Sequence, residues 1–227
     1  MMARSKGSDS QAWTLSTHDA DYPQVLAAHP MADRWRTLHG RGKRDLLSQR
    51  SLGLICSVQC PGSVVSRTFD AMRELRDAGI MVAGGFHSPM EKECLGFLFR
   101  GDQPVILCAA RGIDKARMPP AWRERIDAGR LAVVSPFGGA VGRPTSAQAQ
   151  TRNELIAALS VAVFVPYASP GGKTETIARS IVQRGQVLFT LEDTTNTWMV
   201  DLGARLYELD VLREVLETSG KGRRAFQ

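Results

Sequence analysis

The chain has 227 residues, of which 43% are hydrophobic and 23% are charged, so it is typical of globular proteins and long enough to bury one substantial core. Its 29 Lys and Arg residues against 23 Asp and Glu residues give a net charge of +6, enough to attract phosphate groups but too little for a dedicated polycation. No apolar run reaches the roughly 18 residues that a membrane-spanning helix needs, and the polar N-terminus lacks the apolar region of a signal peptide. We therefore expect a cytoplasmic protein with no membrane partner.

Residues 1–50 carry scattered aromatic residues without sustained periodicity, and they predict an N-terminal arm that packs on a core formed later in the chain. From residue 51 to residue 191, apolar runs alternate with amphipathic segments. Six runs predict strands: SLGLICSV, IMVAGG, PVILCAARG, LAVVSPFGG, VAVFVPYASPGG and QVLFTL. Residues 192–227 predict a loop, a C-terminal helix and a basic tail.

Amphipathic helices are predicted between these strands. The first has an apolar stripe of Val65, Phe69, Met72 and Leu75, and the helix before the fifth strand has a stripe of Leu155, Ile156 and Leu159. Ser88 and Pro89 predict the N-cap and first position of another helix. Continuous apolar strands that alternate with helices indicate a parallel sheet covered on both faces. The predicted fold is therefore a Rossmann-like α/β fold, with a doubly wound, mainly parallel sheet of about six strands and helices on both faces.

The cysteines and histidines indicate neither disulfides nor a metal site. Cys56, Cys60, Cys94 and Cys108 would be reduced in the cytoplasm, and their spacing does not match a paired CxxC zinc pattern. No two histidines have the i,i+4 spacing of a metal-binding helix. We expect four free thiols, of which Cys56 and Cys108 are buried, with no metal and no cofactor.

Glycine pairs lie at three predicted strand ends, where an open parallel sheet binds its ligands. These pairs are Gly84-Gly85, Gly138-Gly139 and Gly171-Gly172. Glycine lets the backbone approach a phosphate closely, and the N-terminus of the following helix supplies N–H donors and a favourable dipole. The glycine pairs therefore predict a phosphate-binding groove.

The strongest local signal is SPGGKTETIA, at residues 169–178, which offers glycines, Lys173, Thr174 and Glu175 at a helix start. It is not a Walker A loop, because the earlier glycine of that motif would fall at Tyr167. Anion binding is the favoured interpretation, and an ordinary strand-to-helix turn with solvated side chains is the alternative.

Two further segments contribute donors. TRNE, at residues 151–154, is interpreted as a helix start at which Arg152 and Asn153 hold a phosphate, although Arg152 alone could equally be a surface residue. GGFHSPMEKE places His87, Ser88 and Glu91 at the end of the second strand. No hydrolase triad is predicted, since GxSxG is absent, and the dinucleotide-binding motif GxGxxG is absent too. No catalytic residue is assigned. The predicted phosphate-binding residues are Ser57, Gly84, Gly85, His87, Ser88, Arg111, Arg152, Asn153, Gly171, Gly172, Lys173 and Thr174.

Four stretches resemble the DNA-processing protein A family, also called DprA or Smf. These stretches are DYPQVL from residue 21, AGGF from residue 83, RNELIAALS from residue 152 and PGGKTETIA from residue 170. The family's GSR signature after the first strand is replaced here by Ser57-Val58-Gln59, which lacks the arginine. The resemblance implies a Rossmann-like core that binds single-stranded DNA, forms homodimers and hands DNA to a RecA-type recombinase without catalysis.

PGGKTE also resembles the PGGxGTxxE motif of lysine-decarboxylase-like phosphoribohydrolases, which belong to the same wider group of nucleotide-binding domains. That resemblance implies a nucleotide-binding or nucleotide-hydrolysing enzyme or sensor, with Arg152 and Glu175 as its catalytic residues. A protein-interaction scaffold is the third alternative.

Overall fold

A computed structural model describes residues 12–114, 116–139 and 142–218. They form one sheet of nine strands with helices on both faces. The strands are β1 (Ala12–Ser16), β2 (Thr37–Gly42), β3 (Leu52–Leu54), β4 (Val82–Gly84), β5 (Val105–Cys108), β6 (Leu131–Ser135), β7 (Ala162–Phe164), β8 (Val187–Thr190) and β9 (Arg205–Leu206). The helices are α1 (Gln24–Ala27), α2 (Gly62–Asp77), α3 (Pro89–Leu98), α4 (Pro120–Asp127), α5 (Ser146–Leu159), α6 (Lys173–Gln183), α7 (Thr197–Leu202) and α8 (Leu209–Thr218). Short 3-10 helices lie at Ala32–Trp35, Arg44–Ser48 and Thr194–Asn196.

The strand order is β1-β2-β6-β5-β4-β3-β7-β8-β9. The strands from β3 to β9 are parallel, and the chain lays down β3 to β6 in succession toward one edge. It then returns through α5 and places β7 on the free side of β3. The direction of winding therefore reverses between β3 and β7, and this is the point at which doubly wound sheets bind ligands.

The core consists of two apolar clusters, one on each face of the sheet. One cluster joins the N-terminal segment to α5, α6 and α7 and includes the fully buried Trp35 and Leu38. The other packs α2, α3, α4 and α8 on the opposite face and includes Phe164 and Phe189. Both faces are thus covered, and the predicted doubly wound α/β class is confirmed along with all six predicted strands.

The sheet is wider than predicted because the N-terminal arm contributes β1 and β2. Strand β2 pairs antiparallel with β6, and β1 pairs antiparallel with β2. Trp13 lies flat on Gly40, where an added Cβ would lie 2.0 Å from the indole ring, and its Nε1 donates to the Gly42 carbonyl at 2.8 Å. The close approach of an aromatic ring to a glycine backbone therefore fixes this edge of the sheet. The two-residue β9 is the third strand that the sequence did not predict.

Most predicted helix features are present. Ser88 caps α3, with Pro89 at its first position, and the α5 stripe of Leu155, Ile156 and Leu159 is buried. In the predicted stripe of α2, Met72 and Leu75 are fully buried, whereas Val65 and Phe69 are half-buried and their neighbours Val64 and Thr68 are fully buried instead. Phe69 packs on Phe97 of α3, with the ring centroids 5.2 Å apart. The segment read as a loop after residue 191 contains a 3-10 helix and α7.

All four cysteines are free, and Cys56 and Cys108 are buried as predicted. Within the described residues there is no group of three or more His, Cys, Asp or Glu side chains that could hold a metal ion. No helix of the described part is long and apolar enough to cross a membrane. The predicted basic tail, at residues 219–227, lies outside the described residues.

Candidate functional site

A cleft of about 490 Å³ lies where the winding of the sheet reverses. Hydrogen bonds tie together the two loops that form its walls. The Ser57 backbone N–H, after β3, donates to the Tyr167 carbonyl, after β7, at 3.1 Å, and the Ser169 N–H donates to the Ser57 hydroxyl oxygen at 2.9 Å. Ser57 therefore joins the two halves of the sheet at the cleft.

The cleft brings together seven of the predicted phosphate-binding residues from four segments of the chain. They are Ser57, His87, Arg152, Asn153, Gly172, Lys173 and Thr174. The sequence analysis missed Gln59, Gln150 and Ser169, which also line the cleft. Gln150 lies on the same face of α5 as Asn153, three residues away, and that spacing is the signal that could have identified it.

The glycine loop after β7 opens the cleft to the N-terminus of α6. Gly171 has a φ of +70°, a left-handed conformation that favours glycine, and Gly172 is the N-cap without a side chain of its own. Helix geometry leaves the first N–H groups of α6 without intrahelical acceptors. The loop therefore presents backbone donors to the cleft, with the exposed Lys173 beside them.

Glu175, in the first turn of α6, binds the backbone of this loop. Its Oε2 accepts a hydrogen bond from the Gly171 N–H at 2.7 Å, and its Oε1 forms an ion pair with Arg179 at 2.7 Å. The hydrogen bond from Gly171, followed by that from Arg179, holds the pKa of the Glu175 carboxyl below its ordinary value. Glu175 is not among the residues that line the cleft. These contacts favour a role for Glu175 in shaping the glycine loop.

Arg152 is the central cation of the cleft, and only 2% of it is exposed. It does not lie at a helix start as predicted, because Thr145 and Gln148 form a capping box that begins α5 at Ser146. The guanidinium instead packs on the backbone of Gly85, just after β4, where an added Cβ would lie 1.7 Å from Arg152 Nη1. Gly85 therefore provides the space that this side chain occupies.

A buried polar network surrounds the guanidinium. His87 Nδ1 lies 3.1 Å from Arg152 Nη2 and 2.8 Å from Glu91 Oε2, so this one nitrogen can accept from the arginine or donate to the carboxylate. The Glu91 carboxylate also accepts the backbone N–H groups of Cys56 at 3.3 Å and His87 at 3.1 Å. Glu91 thus links the loop after β3 to the loop after β4.

Burial acts to raise the pKa of Glu91, but the hydrogen bond and charge of His87 and the charge of Arg152 outweigh it, and the pKa lies below its ordinary value. Burial lowers the pKa of Arg152, and the charge of Glu91 opposes this effect. Glu91 is therefore the ionised partner that makes a buried cation tolerable at this position.

The charge and the hydrogen-bond donors of the Arg152 guanidinium are only partly compensated by neighbouring groups. Its Nε is buried without a hydrogen-bond partner, and within the described chain no carboxylate forms an ion pair with it. No Asp or Glu is among the described residues that line the cleft. A buried guanidinium with free donor capacity, beside a helix N-terminus and a lysine, is an arrangement that binds an anion.

The remaining predicted residues lie around the cleft. Gly84 packs against the ring of Phe86, Ser88 accepts the Glu91 N–H as the cap of α3, and Arg111 lines a neighbouring pocket. The Gly138-Gly139 pair lies after β6, where Gly138 packs against His39.

The model of a protein family described as DNA recombination-mediator protein A matches residues 13–208. The chain belongs to this family. The resemblance seen in four sequence stretches is thereby confirmed. No curated protein matches the chain.

Two solved structures of DNA processing protein A share the fold of this family member. The protein from Streptococcus pneumoniae has a TM-score of 0.74 at 20% identity, over 91% of this chain and 75% of that one. The protein from Helicobacter pylori, whose structure was described for its single-stranded DNA binding mode, has a TM-score of 0.69 at 18% identity, over 94% of this chain and 97% of that one. The Moco carrier protein from Chlamydomonas reinhardtii has a TM-score of 0.51 at 9% identity, over 74% of this chain and 98% of that one.

Three of the four stretches that resemble the family lie at the cleft. RNELIAALS lies in α5 and carries Arg152, AGGF provides Gly85 at the end of β4, and PGGKTETIA forms the glycine loop and the start of α6. The fourth stretch, DYPQVL, leads into α1 and does not line the cleft.

Proposed function

We propose that this chain binds single-stranded DNA non-catalytically, with a backbone phosphate held at the cleft between β3 and β7, and acts in the processing, uptake or recombination of DNA. The observation that carries the proposal is the buried Arg152, which has free donor capacity and no carboxylate in an ion pair with it among the described residues. Membership of a recombination-mediator family and the single-stranded DNA described for the Helicobacter pylori relative support DNA as the source of the phosphate.

The cleft offers contacts that suit a phosphate of any sequence. The planar guanidinium of Arg152 can donate two parallel hydrogen bonds to phosphate oxygens, and the α6 N-terminus and Lys173 add donors and positive charge. These contacts reach the sugar-phosphate backbone, which carries no sequence information. We therefore expect binding to be independent of sequence and to weaken steeply as salt is added.

Family membership also supports two further parts of the proposal, which are homodimerisation and handover of DNA to a RecA-type recombinase in the cytoplasm. The mass of the protein in solution, and stimulation of RecA filament formation on coated single-stranded DNA, test these two parts separately.

The test of the cleft is a titration of fluorescent single-stranded oligonucleotide at two salt concentrations, with AMP and ATP as competitors. Arg152→Ala should weaken binding about tenfold to hundredfold, as expected for one charge-assisted hydrogen bond. It should also reduce the salt slope by about 0.7, the value for one phosphate contact on a single strand. Arg152→Lys should recover part of the loss, since lysine keeps the charge but lacks the planar fork.

Arg213→Ala, on the exposed face of α8, is the matched control because it removes the same charge away from the cleft. Lys173→Ala provides a second, exposed variant should the loss of buried Arg152 impair folding. Unchanged affinity in folded Arg152→Ala and Lys173→Ala would refute the proposal. Displacement of the oligonucleotide by an equal concentration of AMP would show that a free nucleotide is the ligand.

A further inference from the structure

Two cysteines flank the loop that follows β3 and forms one wall of the cleft. Cys56 and Cys60 lie at the two ends of this loop, and the three residues between them are Ser57, Val58 and Gln59. Cys56 and these three residues line the cleft, and Ser57 binds the loop after β7. A covalent change at the two cysteines would therefore act directly on the wall of the cleft.

The chain bends between the two cysteines, so both thiols lie against the same part of the core. Val58 is 63% exposed at the tip of the bend. Cys56 is buried in the apolar cluster that contains α2 and α3, and Cys60 is half-buried against that cluster. The Cys56 Sγ lies 3.5 Å from the Tyr167 carbonyl and also within hydrogen-bonding reach of the Cys60 sulfur. The two thiols are thus neighbours, and both are free.

The two thiols differ in reactivity. The hydrogen bond from Cys56 lowers the pKa of Cys60, although burial and the charge of Asp193 oppose this effect. The same hydrogen bond, together with burial, raises the pKa of Cys56. Peroxides react with thiolates, and partial exposure lets them reach the sulfur. Cys60 is therefore suited to react first, and Cys56 is placed to react with the product.

We propose that Cys60 and Cys56 form a peroxide-sensitive thiol pair, and that the disulfide between them weakens DNA binding at the cleft. This inference rests on the proposed function and adds the regulation of the same site. Disulfides of intracellular proteins are commonly transient and redox-sensing, and a pair of neighbouring free thiols beside a binding site fits that use.

The reaction takes two steps with hydrogen peroxide as the oxidant. The Cys60 thiolate attacks one peroxide oxygen and the O–O bond breaks, which gives a sulfenic acid and, with the proton that the thiol released, water. The Cys56 sulfur then attacks the Cys60 sulfur and displaces the hydroxyl group, which leaves as water with the Cys56 proton. The two thiols lose two electrons in total, and these electrons reduce the peroxide.

The disulfide would tighten the loop. An S–S bond is about 2.05 Å long, far shorter than any hydrogen bond between two thiols, so Cys56 and Cys60 must approach each other as it forms. This movement takes the Cys56 Sγ away from the Tyr167 carbonyl and displaces Ser57, which binds Ser169 across the cleft. Loss of one such hydrogen bond should weaken binding of a single-stranded oligonucleotide about two- to tenfold.

The test treats the full chain with a small excess of hydrogen peroxide and measures both the bond and the binding. Cys56 and Cys60 share one tryptic peptide, residues 51–67, so their disulfide appears in its mass as the loss of two hydrogen atoms. A bond to Cys94 would instead link two different peptides. Titration of a dT oligonucleotide should show weaker binding after peroxide, and dithiothreitol should restore it.

Three variants separate the roles of the thiols. Cys60→Ser removes the reactive thiol at a residue that is not among the described residues of the cleft, so its DNA binding should be unchanged by peroxide. Cys56→Ala leaves Cys60 without a partner, and its sulfenic acid should accumulate and react with dimedone. Cys94→Ala is the matched control, because it removes a fully buried thiol of the same cluster and should leave the response to peroxide intact.

The two proposals fail in different ways. If the reduced protein binds dT but peroxide forms no bond within peptide 51–67, or joins Cys60 to Cys94, the thiol pair is refuted and the cleft stands. If the Cys56–Cys60 bond forms and binding is unchanged, the regulation of DNA binding is refuted. If the reduced protein binds no oligonucleotide, the proposed function is wrong and the regulation of DNA binding falls with it.

Discussion

Replacing Gly85 with alanine tests whether the guanidinium of Arg152, the central cation of the cleft, must pack on the backbone just after β4. The new Cβ would lie 1.7 Å from Arg152 Nη1 and 2.3 Å from its Cζ. Non-bonded heavy atoms are in contact at about 3.5–4.0 Å, so the guanidinium must move by roughly 2 Å. A movement of that size breaks the 3.1 Å contact with His87 Nδ1 and removes the guanidinium from its place in the cleft.

Gly85→Ala should lower both the affinity for the oligonucleotide and the free energy of unfolding. Loss of one charge-assisted hydrogen bond, about 1.5–3 kcal/mol, should weaken oligonucleotide binding about tenfold to hundredfold. Overpacking at Gly85 should lower the free energy of unfolding by about 1–3 kcal/mol. An oligonucleotide titration measures the first effect, and urea unfolding measures the second.

Gly96→Ala is the control, because Gly96 is an exposed residue within α3 where an added Cβ meets no atom within 4 Å. Alanine is favoured over glycine in a helix interior by about 0.5–1 kcal/mol, so this variant should be more stable than the unmodified protein and bind DNA equally well. If folded Gly85→Ala binds with unchanged affinity, Arg152 does not bind the phosphate from the position described here.

Three further predictions address the network, the thiols and the arm. The pKa of Glu91 is lowered by folding, so its contribution to stability is present above the unfolded value of about 4.3 and is lost as the pH falls toward the folded value. Urea unfolding from pH 7 to pH 3 should therefore show a shallower decline for Glu91→Gln than for the unmodified protein, and equal declines would contradict this. A hydrogen bond from Cys56 lowers the pKa of Cys60, whereas burial raises that of Cys108 to about 12. Peptide mapping after brief iodoacetamide treatment should find Cys60 modified first, and all four thiols should react in denaturant. Trp35→Ala should cost about 3–5 kcal/mol in urea unfolding because Trp35 is fully buried, and a cost near zero would mean that the arm is not part of the core.

The sequence predicts the parallel part of the sheet well and its antiparallel edge poorly. Strands β3 to β8 are continuous apolar runs because helices cover both of their faces, and burial of that kind is visible residue by residue. The segments AWTLS and TLHGRG carry no such run, since β1 and β2 are half-exposed and mix polar with apolar residues. The pairing of β2 with β6 depends on contacts between residues distant in the chain, which local periodicity does not reveal.

The candidate site likewise has a part that the sequence predicts and a part that it does not. The glycine loop and the start of α6 are local features, and the sequence identifies Gly172 and Lys173 directly. The packing of Arg152 on Gly85 and its charge compensation by Glu91 arise from three separate segments of the chain. No spacing within one segment indicates them. The helix start assigned near Arg152 was wrong because the capping box at Thr145 lies nearly two turns earlier.

The central position of β3 also determines when the cleft can exist during synthesis. Leu52 pairs with Val82 on one side and with Ala162 on the other, so the second pairing waits for a strand made much later. Half of the sheet, from β3 to β6, can assemble from neighbouring segments before β7 has been translated. The glycine loop and α6 follow later still. A nascent chain should therefore lack the complete cleft until α6 has been translated and has left the ribosome.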